Sequence, residues 1–376
     1  MKMKVFWDRI LAAYLAVLIF LGGTALLLGK QSAFSARENR ALSRWQSLRA
    51  EEVWQGGFIQ SLSRICSDQF PLRESLVALR ANIERLLGKG EHHGVLWGKD
   101  GYLIPRDEYS DISVLKENVA ALSTLCDNGA VPAEVWILPR SVDVMNDKLP
   151  DLYEQPDLER LMSILGAFSP SYERLTRVLR TRAAEGEQVW YRTDHHFTTA
   201  GAYETYRVLV QTLGIDPMPC SYFTEETVSD TFLGSSYSAV GGVAEQADHV
   251  ILYRYENDDR FQIEVGKTKT VVKGFYDRSK LNNKDQYEIF LGGNHDFVRV
   301  TDPTQEEHPR YLLVKDSFAN CLIPFLAIHA DLDVVDLRYT SLPLSAYTEA
   351  EEYDGILVVA GLDTLATDPS FRRVSP

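Results

Sequence analysis

The segment Tyr191-Arg192-Thr193-Asp194-His195-His196-Phe197-Thr198-Thr199 sets a carboxylate two residues before an imidazole. In an extended chain, residues two apart project to the same side, so Asp194 and His196 face one cleft together. His195 points the other way. A carboxylate beside an imidazole fixes its tautomer and stabilises the imidazolium, which is what a general base needs. The plainer alternative is a helix-entry turn whose polar groups satisfy backbone donors, with Thr198 or Thr199 as the cap. A second candidate is Tyr311-Leu312-Leu313-Val314-Lys315-Asp316-Ser317-Phe318-Ala319-Asn320. Here an apolar strand ends at Lys315 and a helix begins just after Ser317. A serine on such a turn lies at the carboxyl edge of a sheet, where open α/β folds bind ligands, and the helix amides serve as oxyanion donors. The motif is not the Gly-x-Ser-x-Gly elbow, and a serine or aspartate N-cap accounts for it equally well. Third, Gly292-Gly293-Asn294 offers a sharp turn carrying an amide donor, with a hairpin turn as the plainer alternative.

Metal chemistry is poorly supported. The adjacent pairs His92-His93 and His195-His196 lack the spacing of a shared site, and no His-x-x-x-His or clustered Cys is present. No metal or cofactor is implied. Cys66, Cys126, Cys220 and Cys321 are scattered, form no disulfide framework and are expected to be mostly buried thiols.

These side chains need a scaffold, and beyond residue 94 short apolar strands alternate with helical stretches. Strands are expected over 135–138, 188–191, 311–314, 333–337 and 355–359, and helices over 112–125, 158–168, 171–184, 199–213 and 320–330. Such alternation implies βαβ units and a three-layer α/β/α domain with a mainly parallel sheet. Residues 250–300 read instead as β-rich hairpins forming an insertion or small subdomain. Upstream, apolar residues at helical spacing over 51–87 predict two amphipathic helices separated by Pro71. Residues 31–50 are polar and Arg-rich, suited to a linker. The domain expectation is therefore an anchor over 1–30, linker and amphipathic helices over 31–93, and a catalytic domain over 94–376.

Lys2, Lys4 and Arg9 precede an uncharged run from Ile10 to Gly29, closed by Lys30. About 20 apolar residues just span a bilayer core, and the basic flank stays cytoplasmic. The expectation is a single-pass membrane anchor with the body on the extracellular side; the rival is a cleaved signal peptide ending in the small residues after Ser32. Of 376 residues, 45% are hydrophobic and 24% charged, as in ordinary globular proteins. The net charge of -14, without a basic stripe, argues against nucleic acid as a partner.

Taken together these motifs resemble the DHHW family, itself similar to the alginate O-acetyltransferase proteins that carry a permuted SGNH-hydrolase-like domain. The resemblance runs through Glu38-Asn39-Arg40-Ala41-Leu42, Ser67-Asp68-Gln69-Phe70-Pro71-Leu72-Arg73, Gly98-Lys99-Asp100-Gly101-Tyr102-Leu103, Thr193-Asp194-His195-His196, Lys315-Asp316-Ser317-Phe318-Ala319-Asn320 and Asp336-Leu337-Arg338-Tyr339. It implies that Asp194 and His196 are the Asp-x-His pair and Ser317 the nucleophile, in permuted order, which geometry permits. Arg338, Asn294 and His195 become the candidate substrate contacts, Arg338 as partner for an anionic sugar and Asn294 as an oxyanion donor. Phe197 stands where the family name implies Trp, and aromatic packing is expected to survive. The activity implied is acyl transfer, most simply acetylation of a cell-surface polysaccharide, with a membrane-bound O-acyltransferase partner supplying the donor. The alternatives are a polysaccharide acetyl-esterase using the same triad, and a non-catalytic scaffold or glycan-binding subunit.

Overall fold

The computed structural model describes residues 2–375 other than 49–50, 52–55, 107–108, 110, 152, 154–156, 267–269 and 306. The end of the expected linker (49–50) and residues 52–55 of the expected helical stretch lie outside the described residues. The chain forms two compact units, Met1–His92 with Tyr237–Val243, and His93–Ser236 with Ala244–Pro376.

In the first unit, helix α1 (Lys2–Leu28) contains 23 residues, Phe6–Leu28, long and apolar enough to cross a bilayer. Helices α2 (Phe58–Asp68) and α3 (Arg73–Leu86) follow, with the break at Pro71 that the sequence predicts. Leu72 adopts a left-handed φ of 58° and turns the chain into α3.

The second unit is built on a seven-stranded sheet. Its strands are β1 (Ala133–Leu138), β2 (Gln262–Val265), β3 (Thr270–Lys273), β4 (Phe297–Thr301), β5 (Arg310–Lys315), β6 (Asp331–Val335) and β7 (Gly355–Gly361), in the order β3-β2-β4-β6-β5-β7-β1. Strands β6, β5, β7 and β1 are mutually parallel, whereas β3, β2 and β4 join antiparallel. The sheet is therefore mixed rather than mainly parallel. The β-rich segment predicted over 250–300 does not stand apart, because three of its strands extend the central sheet. Asp248–Arg254 pairs elsewhere, with Thr224–Phe232.

Successive residues of a strand face opposite sides. On β5, Leu312 and Val314 join a core with Leu122 of helix α4 (Ser113–Asn128) and Leu365. Leu313 joins a second core with Leu175 of helix α5 (Ser169–Ala184) and Tyr206 of helix α6 (Thr199–Thr212). Burial on both faces explains the unbroken apolar run of β5.

Two predicted elements differ. Residues 188–191 add no strand to the sheet; Trp190 bridges Phe197, closing a loop. Residues 320–330 do not form one helix. A tight 3-10 turn, Ser317–Cys321, is followed by a short helix, Ile323–Leu326, restarted by Pro324 in its first turn. Among the cysteines, all four free, only Cys321 is buried, contrary to the expectation of mostly buried thiols.

Candidate active site

Ser317 sits where β5 ends. Asp316 caps the 3-10 turn: its Oδ1 accepts from the Phe318 amide at 3.0 Å and its Oδ2 from the Gly361 amide on β7 at 2.7 Å. Both carboxylate oxygens are thus spent holding the serine turn against the next strand. This bears on the oxyanion donors. The amides of Phe318 and Ala319, expected to serve, are engaged within the turn by the Asp316 side chain and carbonyl.

The Asp-His pair comes together by a route other than the expected extended segment. Residues 192–196 bend, and Asp194 Oδ1 accepts from both the His196 backbone amide (3.0 Å) and His196 Nδ1 (2.6 Å). His196 Nε2 lies 2.9 Å from Ser317 Oγ. An ionised carboxylate only accepts, so the imidazole proton sits on Nδ1 and Nε2 is left to accept from the serine hydroxyl. Burial lowers the His196 pKa to about 4, with neighbouring His195 adding to the effect and Asp194 opposing it. The imidazole is therefore neutral near pH 7. Burial pushes Asp194 upward, but electrostatic attraction to the adjoining imidazole rings and its hydrogen bonds outweigh that and hold the carboxyl well below the usual range.

The loop is over-determined from outside. Buried Asp248 accepts from the Arg192 amide (3.0 Å), the Thr193 amide (2.7 Å) and Thr193 Oγ1 (2.7 Å). Ser235 N donates to Asp194 Oδ2 at 2.7 Å. Gly234 permits this approach, since a Cβ there would lie 2.3 Å from the Asp194 side chain. Tyr287 stacks flat on His196, ring centroids 3.9 Å apart and planes within 7°. Its hydroxyl donates to the Ser317 carbonyl at 3.0 Å. Neither Asp248 nor Tyr287 has a local motif that marks it; each acts across 30 residues or more of chain. Buried Phe197 packs edge-on against Trp190 and Phe318, so an aromatic core is present where the family name implies Trp.

His195 does not point away. Its ring leans over His196 with centroids 3.8 Å apart, its Nδ1 lies 2.6 Å from Ser235 Oγ, and 35% of its side chain is exposed. Asp194, His195 and His196 each offer one ligand atom within 4.8 Å of the others. Asp194 Oδ1 and both ring nitrogens of His196 are, however, already engaged in the relay to Ser317.

Two residues before Ser317, the end of β5 carries a cation. The Lys315 ammonium is buried and reaches Asn294 Oδ1 (3.0 Å), Asn320 Oδ1 (2.7 Å) and Asp336 Oδ2 (3.3 Å). Because an ammonium only donates, both Asn side chains must turn their oxygens toward it. Asn320 Nδ2 also donates to Asn294 Oδ1 at 3.0 Å. The Asn294 Nδ2 donor therefore faces away from this cluster. Burial lowers the Lys315 pKa to about 8, against the attraction of Asp336. Arg338 grips Asp336 with two hydrogen bonds of 2.9 and 2.7 Å, so it is a neutralised cation rather than a bare one.

The DHHW protein family matches residues 171–335 of this chain. No curated protein matches by sequence. Among solved structures, a DHHW family protein from Eubacterium siraeum is 17% identical, with 75% of this chain and 95% of that chain covered at a TM-score of 0.59. Bacillus cereus PatB1 is 17% identical, covering 73% and 98%, at 0.60. The same protein with a sulfonyl adduct is 16% identical, covering 73% and 96%, at 0.59. At these identities the likeness is one of fold. The chain is thus similar to the DHHW proteins over the segment that carries Asp194, His196 and Ser317, and it shares its fold with PatB1.

Proposed function

We propose that this chain transfers an acyl group, most simply acetyl, to a cell-surface polysaccharide through an acyl-Ser317 intermediate. The observation that carries the reading is the continuous relay Asp194–His196–Ser317, 2.6 and 2.9 Å in its two links. Ser317 Oγ attacks the acyl carbonyl while His196 Nε2 takes its proton. Collapse of the tetrahedral intermediate expels the donor's leaving group, which receives that proton from His196. A sugar hydroxyl then gives its proton to His196 and attacks the acyl-serine, and His196 returns that proton to Ser317 Oγ as the serine leaves. Asp194 stays ionised throughout and holds the tautomer. Asn294 Nδ2 is the donor proposed for the oxyanion, and the partly exposed His195 and Arg338 are the proposed contacts for the sugar. The same relay with water as acceptor is an acetyl-esterase.

The surrounding architecture is proposed to be a three-layer, SGNH-like α/β/α domain. It would be carried by a retained single-pass anchor, its body placed outside by Lys2, Lys4 and Arg9. A membrane-bound acyltransferase would bring the donor to this side.

The test uses the full-length protein in detergent with a chromogenic acetate ester. Acetate release by wild type, and none above background by a folded Ser317→Ala variant, is expected. Transfer of label to added polysaccharide at the expense of free acetate identifies the transferase; acetate alone identifies the esterase. Equal release by both proteins overturns the assignment of Ser317.

A further inference from the structure

Helix α3 carries an apolar stripe that the first unit leaves uncovered. Leu72, Leu76, Leu79, Ile83 and Leu86 follow one another at steps of three and four residues and lie on one face. Their exposures are 77%, 45%, 54%, 46% and 86%. The opposite face is the one that packs: Ala81 is fully buried, and Glu74 accepts from Ser35 Oγ at 2.8 Å. A continuous stripe of large exposed side chains marks an interaction surface rather than scattered surface apolarity.

What covers it is indicated by where α3 begins. The α2–α3 elbow is bound to the exit of α1. Gln69 Oε1 accepts from the Ser32 amide and Gln69 Nε2 donates to the Ser32 carbonyl, both at 3.0 Å. Phe70, 48% exposed, lies against α1 itself, 4.0 Å from where a Cβ on Gly22 would stand. Gly22 is six residues before the helix ends at Leu28, hence about 9 Å below its end at 1.5 Å per residue. The span Phe6–Leu28 is about 35 Å long on the same rise, slightly more than a hydrocarbon core of about 30 Å. The elbow therefore lies within the depth to which interfacial helices sink, about 5–10 Å.

We infer that α3 lies in the near leaflet of the bilayer that α1 crosses, with Leu72, Leu76, Leu79, Ile83 and Leu86 in the acyl chains and Phe70 as the inner wedge. The inference rests on α1 being a retained membrane span and is independent of the chemistry at Ser317. The borders of the stripe suit that placement. Arg80, with 68% of its side chain exposed, flanks it and pairs with Glu84 at 2.9 Å, its long stem able to run along the acyl boundary while the guanidinium stays in water. Leu72, in its left-handed turn, starts the stripe at the elbow.

The experiment places a nitroxide on the full-length protein in nanodiscs of phosphatidylcholine and phosphatidylglycerol. Cys66, Cys126 and Cys220 are replaced by Ser, and single cysteines are introduced as Leu79→Cys, Ile83→Cys and, on the opposite face, Glu74→Cys. Leu79, Ile83 and Glu74 are exposed, and Leu76→Cys and Leu86→Cys repeat the measurement should one variant fail to fold. Collision with dissolved oxygen is expected to exceed collision with a water-soluble nickel chelate at 79 and 83, and the ratio to fall about tenfold at 74. Equal access of the nickel chelate to 79, 83 and 74 overturns the inference. In discs that contain lipid alone, that result would assign the stripe to a protein partner instead.

Discussion

Two buried charged clusters are held at the end of β5, and they use burial in opposite ways. In one a carboxylate serves an imidazole: Asp194 bonds Nδ1 of neutral His196, which in the proposed reaction gains and loses a proton. In the other an ammonium serves two amides: Lys315 sets which way Asn294 and Asn320 turn. In the proposed reaction the first cluster changes charge during turnover, and the second only holds its amides in place. Breaking the first should therefore cost chemistry directly, while breaking the second should cost only the oxyanion donor that it orients.

The largest effect belongs to the first cluster. Ser317→Ala is expected to reduce acetyl-ester turnover by roughly 10⁴-fold or more, with loss of labelling by a sulfonyl fluoride read by intact mass. Asp194→Asn should lower kcat by about 10³–10⁴-fold, since an amide facing Nδ1 no longer requires the proton there. A KM unchanged within a few-fold separates this from a collapsed site. Full activity in folded Asp194→Asn would break the relay.

A loss of about 10²-fold is expected from Lys315→Met, the usual scale for one oxyanion donor. Asn294→Ala should show the same loss, and the double variant should be no worse than either single one, because both remove one function. Additive losses would show that Lys315 and Asn294 act separately. The thermal midpoint of Lys315→Met should fall by a few degrees, because buried Asn320 Oδ1 loses its donor while Asp336 keeps both bonds from Arg338. The clusters also set the limits of a pH profile. Activity needs neutral His196, so it should rise with pH through about 4, and it needs the Lys315 ammonium, so it should decline above about 8. Only the alkaline limb should vanish in Lys315→Met. Stability follows the histidine with a definite sign. Between pH about 6.5 and 4 the unfolded chain takes up the proton that folded His196 refuses, so about 3 kcal/mol present above pH 6.5 is lost as pH falls through 4.

The contrast between the clusters also explains how much could be read from the chain alone. Asp194 and His196 are two residues apart, and Ser317 ends an apolar strand, so local spacing marks all three. Strands β1, β5, β6 and β7 were legible because a strand buried on both faces leaves an unbroken apolar run. What supports the site was not legible. Asp248 holds the loop from 55 residues downstream at Thr193, and Lys315 meets Asn294 across a strand connection. Such contacts leave no period in the sequence. The same holds for β2, β3 and β4: their hairpin character shows locally, but their joining the edge of the central sheet depends on the pairing of β4 with β6, which only the folded chain decides. The bend at 192–196 departs from the extended geometry that the spacing predicts, because an aspartate bonding its own backbone two residues on competes with strand geometry.

The smallest expected effect lies at buried Tyr287, packed against the serine turn. Tyr287 stacks on His196 and donates to the carbonyl of Ser317, so it touches the base with its ring and the nucleophile's backbone with its hydroxyl. Tyr287→Phe keeps the stack and removes one hydrogen bond, worth about 1 kcal/mol, so a fall of three- to tenfold in kcat is expected. Tyr287→Leu loses the flat contact as well and frees the imidazole to rotate, and should fall further, by tens-fold. If the two variants are equally impaired, the hydroxyl's hold on the serine turn decides the rate. If only Leu is impaired, the plane of the imidazole decides it, and the relay owes its alignment to packing as much as to Asp194.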